Sequence, residues 1–131
     1  MVGAQRCGLA TGAVFGGLGV ALGAFAAHGL KQRLTPEMLA IFEVGVRYQM
    51  YHALALVAVA MGSAGLWRMR CTWWACIMWT TGVLIFSGSL YALALTGIRW
   101  LGAITPFGGV AFLIGWSLLL AAAMRAASPQ E

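Results

Sequence analysis

Charge is what this sequence has least of. Eleven of its 131 residues are Asp, Glu, Lys or Arg, and three of those are acidic. An ordinary soluble domain is about one-quarter charged, and eleven side chains cannot cover a water-exposed surface, so a soluble fold is excluded. The acids are Glu37, Glu43 and Glu131, and none lies deep in a long apolar run. That removes a carboxylate proton path and leaves a nucleophile triad without its acid. Cysteine is scarce and odd in number, with Cys7, Cys71 and Cys76 at no metal-type spacing, which argues against a disulfide framework. With Met69 and Met78, the last two form a soft-ligand group for copper, but no paired metal-binding repeat accompanies them, and we assign no metal site. Proline occurs three times and no Ser/Pro-rich linker divides the chain, so residues 1–131 read as a single membrane domain. The formal charge of +5 comes from scattered cations rather than a basic patch, which excludes a phosphate-tracking nucleic-acid surface.

What is abundant is hydrocarbon: 62% of the residues are hydrophobic, and the bilayer is the solvent they fit. Four segments approach the roughly 20 residues that cross a bilayer as helix, at about 7–30, 44–66, 73–96 and 107–124. Open backbone hydrogen bonds are not tolerated in lipid, so these are helices. Short connections at 31–36, 67–72 and 98–106 favour antiparallel neighbours. The expected fold is all-α, an integral membrane four-helix up-down bundle. Arg6 followed by an apolar stretch and Ala24-Phe25-Ala26 copies the pattern of a cleavable signal peptide; we take it as the first span.

Between the first two spans, Thr35-Pro36-Glu37 carries a helix start, with Thr35 as N-cap and Pro36 in the first helical position. Residues 35–43 read as a short interfacial helix, with Gly45 a bend between it and the second span; Glu43 and Arg47 at i, i+4 equally suit one straight helix. Gly8, Gly12, Gly16, Gly19 and Gly23 make a helix-packing face on the first span, used within the chain or between chains. Trp67, Trp73, Trp74 and Trp100 flank span ends as an aromatic belt does, whereas Trp79 and Trp116 sit nearer mid-span and read as packing residues. Orientation is weakly specified: Arg6, Arg68, Arg70 and Arg125 lie on the terminal side and Lys31, Arg33, Arg47 and Arg99 on the other. Both termini are placed in the cytoplasm.

Polar residues inside the spans are the informative ones. His28, Tyr48, Gln49, His52, Ser87 and Tyr91 form the candidate cluster, joining the first three helices near one surface. Tyr48, Gln49 and His52 share one side of a helix, and Ser87 and Tyr91 are paired at i, i+4. The plain reading is interhelical hydrogen bonding. Alternatives are a quinone, lipid or haem site, two histidines on different helices being the minimum for a bis-His haem. No cofactor is expected.

Five ordered blocks carry a resemblance: Gly23-Ala24-Phe25-Ala26-Ala27-His28-Gly29-Leu30, Arg47-Tyr48-Gln49-Met50-Tyr51-His52-Ala53-Leu54-Ala55-Leu56, Phe86-Ser87-Gly88-Ser89-Leu90-Tyr91, Ala94-Leu95-Thr96-Gly97 and Ile104-Thr105-Pro106-Phe107-Gly108-Gly109. The chain resembles the small membrane proteins known as domain of unknown function 423, with a mild departure at Ala26, where that family commonly has Gly. The resemblance implies a four-helix protein of a bacterial cytoplasmic membrane and supplies no reaction. The family pattern falls on His28, Tyr48, Gln49, His52, Ser87, Gly88, Tyr91, Pro106 and Gly109. The functional expectation is a non-catalytic interaction or accessory subunit, a homo-oligomer or part of a larger membrane complex, with the lipid bilayer as its other partner. The alternative is a small-molecule binding protein.

Overall fold

The computed structural model describes residues 3–62, 64–67 and 69–126. Arg68 and Glu131, counted above among the charges, lie outside them. The described residues are helical, with no strand among them. Helix α1 is Gly3–Phe25, continued by a π-helical turn at Ala26–Leu30; α2 is Pro36–Ala60; α3 is the single turn Ala64–Trp67; and α4 is Arg70–Gly82. A second π turn, Val83–Ser87, leads directly into α5, Gly88–Thr96, and a 3-10 turn, Arg99–Ala103, precedes α6, Thr105–Ala126.

Three helical stretches are long and apolar enough to cross a membrane: Gly3–Leu30, Arg70–Thr96 and Arg99–Ala126. The expected second span is not among them. Helix α2 has the length, but Glu43, Arg47, Gln49 and His52 dilute its hydrophobicity. Of these, Gln49 and His52 are buried against neighbouring helices, whereas Glu43 and Arg47 are exposed. The expected separate interfacial helix is also corrected, since α2 runs unbroken from Pro36 through Gly45. Its start is as read: the Met38 N–H donates to Thr35 Oγ1 at 3.3 Å. Its end comes early, at Ala60 rather than near residue 66. The chain folds back there, with the Trp67 indole N–H donating to Val59 O at 2.8 Å and Gln5 Nε2 to Gly62 O at 3.2 Å. Trp67 is therefore buried, not part of a belt, whereas Trp73, Trp74 and Trp100 are exposed.

Contacts run in opposite senses between successive long helices. Along α1 and α2, Gly8 lies by Ala60, Gly12 by Ala53 and Val57, Gly19 by Gln49, and Gly23 by Val46. Phe42 and Tyr48 of α2 meet Tyr91 and Phe86 in turn. Gly82 lies against Phe112 of α6, and Gly115 against Trp79 and Ala75. One core cluster gathers Phe15, Leu56, Trp79 and Phe112; a smaller one gathers Ala26, Leu30, Phe42 and Ala94. Glycine makes the close approaches possible. A Cβ on Gly12 would sit 2.8 Å from Val57 Cγ2 and 2.9 Å from Ala53 O.

Candidate functional site

The polar cluster divides. Its centre is Gln49, buried on α2, whose Nε2 donates to Phe15 O of α1 at 2.8 Å while its Oε1 accepts from the Tyr91 hydroxyl of α5 at 2.8 Å. One amide thus joins three helices. Below it, the buried Ser87 hydroxyl donates to Gly45 O at 2.7 Å. Gly45 is where the Tyr91 ring comes closest, since a Cβ there would lie 2.7 Å from Tyr91 Cε1. The absent side chain makes room for a ring, not for a bend. Ser87 ends the π turn Val83–Ser87, the kind of local widening that re-aims side chains within a continuous helix.

One turn beyond Gln49 lies His52, also buried. Its Nδ1 is 2.8 Å from Tyr48 O, and a carbonyl can only accept, so Nδ1 carries the proton. Nε2 is then the acceptor for the Trp116 indole N–H of α6 at 3.1 Å. The imidazole lies flat on Phe112, with centroids 3.6 Å apart and planes inclined by 6°. Trp79, fully buried, stands beside both His52 and Trp116. Both ring nitrogens of His52 are thus engaged, which leaves no lone pair for a metal or haem iron.

His28 is not part of this cluster. It is exposed on the π turn Ala26–Leu30, and the antiparallel register places it about 12 residues, roughly 18 Å of helix, from the level of His52. The two histidines do not face each other, and the geometry for bis-His ligation is absent. Tyr48 is only partly enclosed, its ring against Phe86 and Phe112. Of the six expected residues, Gln49, Ser87 and Tyr91 form one hydrogen-bonded group around Gly45, and Tyr48 and His52 the start of a second with Trp116.

Sequence reasoning missed the aromatic half of the second group and the glycines that admit it. Gly82, Gly108 and Gly115 hold α6 close to the long third helix, with Phe112, the Phe86 backbone and Trp79 where their side chains would be. The seven-residue spacing of Gly108 and Gly115 was the available signal. Ser89 and Thr105 add a 2.7 Å hydrogen bond at one end of that interface. Gly8, Gly12, Gly16, Gly19 and Gly23 of α1 lie against α2, whereas Gly17 is open. A cleft of about 180 Å³ lies between α1 and α4, lined by Cys7, Thr11, Leu56, Trp73 and Cys76 among others; it contains none of the polar cluster. Cys71 accepts from Arg125 Nη1 at 3.4 Å, and among the described residues no three metal-ligating side chains come together.

The sequence profile of the family described as "Protein of unknown function (DUF423)" matches residues 22–109. This chain belongs to the DUF423 family. Among its relatives, a UPF0382 membrane protein of Staphylococcus epidermidis is 44% identical over 114 residues, which cover 87% of this chain and 92% of the relative. YwdK of Bacillus subtilis, also a UPF0382 membrane protein, is 45% identical over 117 residues, covering 87% and 93%. The inner membrane protein YgdD of Escherichia coli is 39% identical over 115 residues, covering 86% of each. No solved structure matches the chain significantly. With three apolar helices of spanning length and these relatives, the DUF423 chain is an inner-membrane protein. The family match includes Tyr48, Gln49, His52, Ser87 and Tyr91, whereas Phe112 and Trp116 lie beyond its end at Gly109.

Proposed function

We propose that this chain is a non-catalytic structural subunit of the inner membrane, a four-helix up-down bundle whose outer surface serves assembly with itself or with a larger membrane complex. The observation that carries this reading is the pairing of Gln49, Ser87, Tyr91 and His52 with groups on neighbouring helices. Gln49 is paired on both ends of its amide, and Ser87, Tyr91 and His52 each have partners from a neighbouring helix. Such bonds are worth about 0.6–2 kcal/mol each between membrane helices, enough to set register. Acid–base or nucleophilic chemistry needs groups that converge on an open space with free lone pairs or protons, and these converge on one another. The exposed acids Glu37 and Glu43 lie in the first half of α2, away from them.

In this reading α2 is the fourth spanning helix. Its buried polar residues Gln49 and His52 are turned to α1, α5 and α6, and the exposed Glu43 and Arg47 lie nearer its Pro36 end. An even number of crossings then puts both termini on one side, the cytoplasm. Native mass spectrometry of gently solubilised protein, with absorbance from the ultraviolet through the visible, tests the proposal. An integral multiple of 13.8 kDa, or a partner protein's added mass, is the expected result. A monomer carrying a stoichiometric small molecule, or showing a Soret band, would overturn it.

A further inference from the structure

The fold regroups the cysteines. By position in the chain Cys76 belongs with Cys71, Met69 and Met78, but the Cys71 sulfur accepts from Arg125 of α6. Cys76 instead lines the cleft between α1 and α4, and Cys7 of α1 lines the same cleft. The cleft follows from where the glycines are. Gly8 and Gly12 seat α1 on α2, and Gly82 and Gly115 join α4 to α6, whereas no such contact draws α1 onto α4. A space of about 180 Å³ is left between them, backed by the fully buried Leu56 of α2. Cys7 is exposed and Cys76 buried, both as free thiols, and a charge on Cys7 would act on Cys76.

The rest of the lining selects what the thiols can hold. Among the described residues around the cleft there is no carboxylate, histidine, lysine or arginine, and the other polar side chains are the hydroxyls of Thr11, Thr80 and Thr81. An anion finds no cation there. Calcium and magnesium need several oxygen ligands, carboxylates foremost. Structural zinc takes four nitrogen or sulfur ligands, and an iron–sulfur cluster four thiolates. Two thiolates in apolar surroundings suffice for one class, a soft monovalent cation, for which sulfur is the preferred donor and linear two-coordination a stable geometry.

We infer that Cys7 and Cys76 form a two-thiolate site for Cu(I) between α1 and α4. Loading exchanges two thiol protons for one ion: Cu⁺ and two RSH give Cu(SR)₂⁻ and two H⁺, with no change of oxidation state. The exposed Cys7 meets the ion first, and the buried Cys76 completes the pair inside the cleft. The ion then ties α1 to α4, the two helices that the glycine contacts leave apart. The site goes beyond the reading of the chain as an assembling subunit and shares no residue with the polar cluster.

The test uses full-length protein in lipid nanodiscs under anaerobic conditions, titrated with Cu(I) against the colorimetric chelator bathocuproine disulfonate. A single ion per chain should be held, excess Zn(II) should not displace it, and copper X-ray absorption should show two sulfur neighbours without nitrogen or oxygen. Cys7→Ser and Cys76→Ser should each lose the ion, whereas Cys71→Ser should bind as the parent does, with circular dichroism reporting the fold of each. No binding by the parent, retention by Cys76→Ser or Cys7→Ser, loss in Cys71→Ser, or nitrogen and oxygen neighbours at the copper overturns the assignment. The absorption spectrum needs no variant, so it decides the question even where Cys76→Ser does not fold. The native mass of metal-free protein tests the assembly reading separately.

Discussion

Replacing Gln49 by Leu keeps side-chain volume roughly constant and removes both interhelical bonds of the central amide. The two losses differ in size. Phe15 O lies within α1 and keeps its helical partner, so losing the donor from Nε2 costs about 0.6 kcal/mol, a typical value between membrane helices. Tyr91 is left with a partly buried hydroxyl and no acceptor, and such an orphan costs about 1–3 kcal/mol. The expected loss is about 2–3 kcal/mol. Tyr91→Phe removes one bond and leaves Gln49 Oε1 unpaired, for about 1 kcal/mol. Once Gln49 is gone, however, removing the Tyr91 hydroxyl takes away an orphan rather than a bond. The double variant should be no less stable than Gln49→Leu alone. Reversible unfolding by dodecyl sulfate in mixed micelles, followed by far-ultraviolet circular dichroism, measures all four proteins. The cycle should give a coupling of about 1–2 kcal/mol. If the two substitutions add within about 0.3–0.5 kcal/mol, the Tyr91–Gln49 bond does not hold the helices and the account of the cluster fails.

Three further outcomes follow from the packing. Gly12→Leu should destabilise by more than about 2 kcal/mol, because its Cβ alone would press within 3 Å of Val57 and Ala53; Gly17→Leu, with open space around it, should stay within about 0.5 kcal/mol of the parent in the same titration. Trp116→Phe leaves His52 Nε2 without its donor and should cost about 1 kcal/mol, with a change in the imidazole nitrogen chemical shift; an unchanged shift would contradict the Trp116–His52 bond. His28→Ala, at an exposed position away from the cluster, should leave both stability and the His52 nitrogen signals unmoved, and a perturbed His52 spectrum would count against the separation of the two histidines.

Much of the architecture was legible because it rests on one-dimensional signals. The apolar runs set three spans within a few residues, Thr35 capped the helix it was expected to cap, and the four-residue glycine rhythm lay on a helix face that packs closely. What misled the reading was the second helix. Glu43, Arg47, Gln49 and His52 lower the hydropathy of α2, and two of them, Gln49 and His52, bond residues of α1, α5 and α6 rather than following an apolar pattern. Its early end at Ala60 depends on Trp67 returning to bond Val59 O, a contact that no local pattern encodes.

The site shows the same divide between what a period encodes and what a partner decides. Spacing correctly put Gln49 and His52 on one side of α2 and Ser87 and Tyr91 on one side of the third long helix. Depth separated His28 from them: two histidines can each be close to a span end in the sequence and still lie three turns apart once antiparallel register is set by glycines at 12, 19 and 23. The roles of Phe112 and Trp116 were hidden for a related reason. An aromatic in an apolar helix is unremarkable until the helix opposite it presents an imidazole, and Gly82, Gly108 and Gly115, which seat α6 against the third long helix, say nothing in sequence of the His52 ring that Phe112 meets at 3.6 Å.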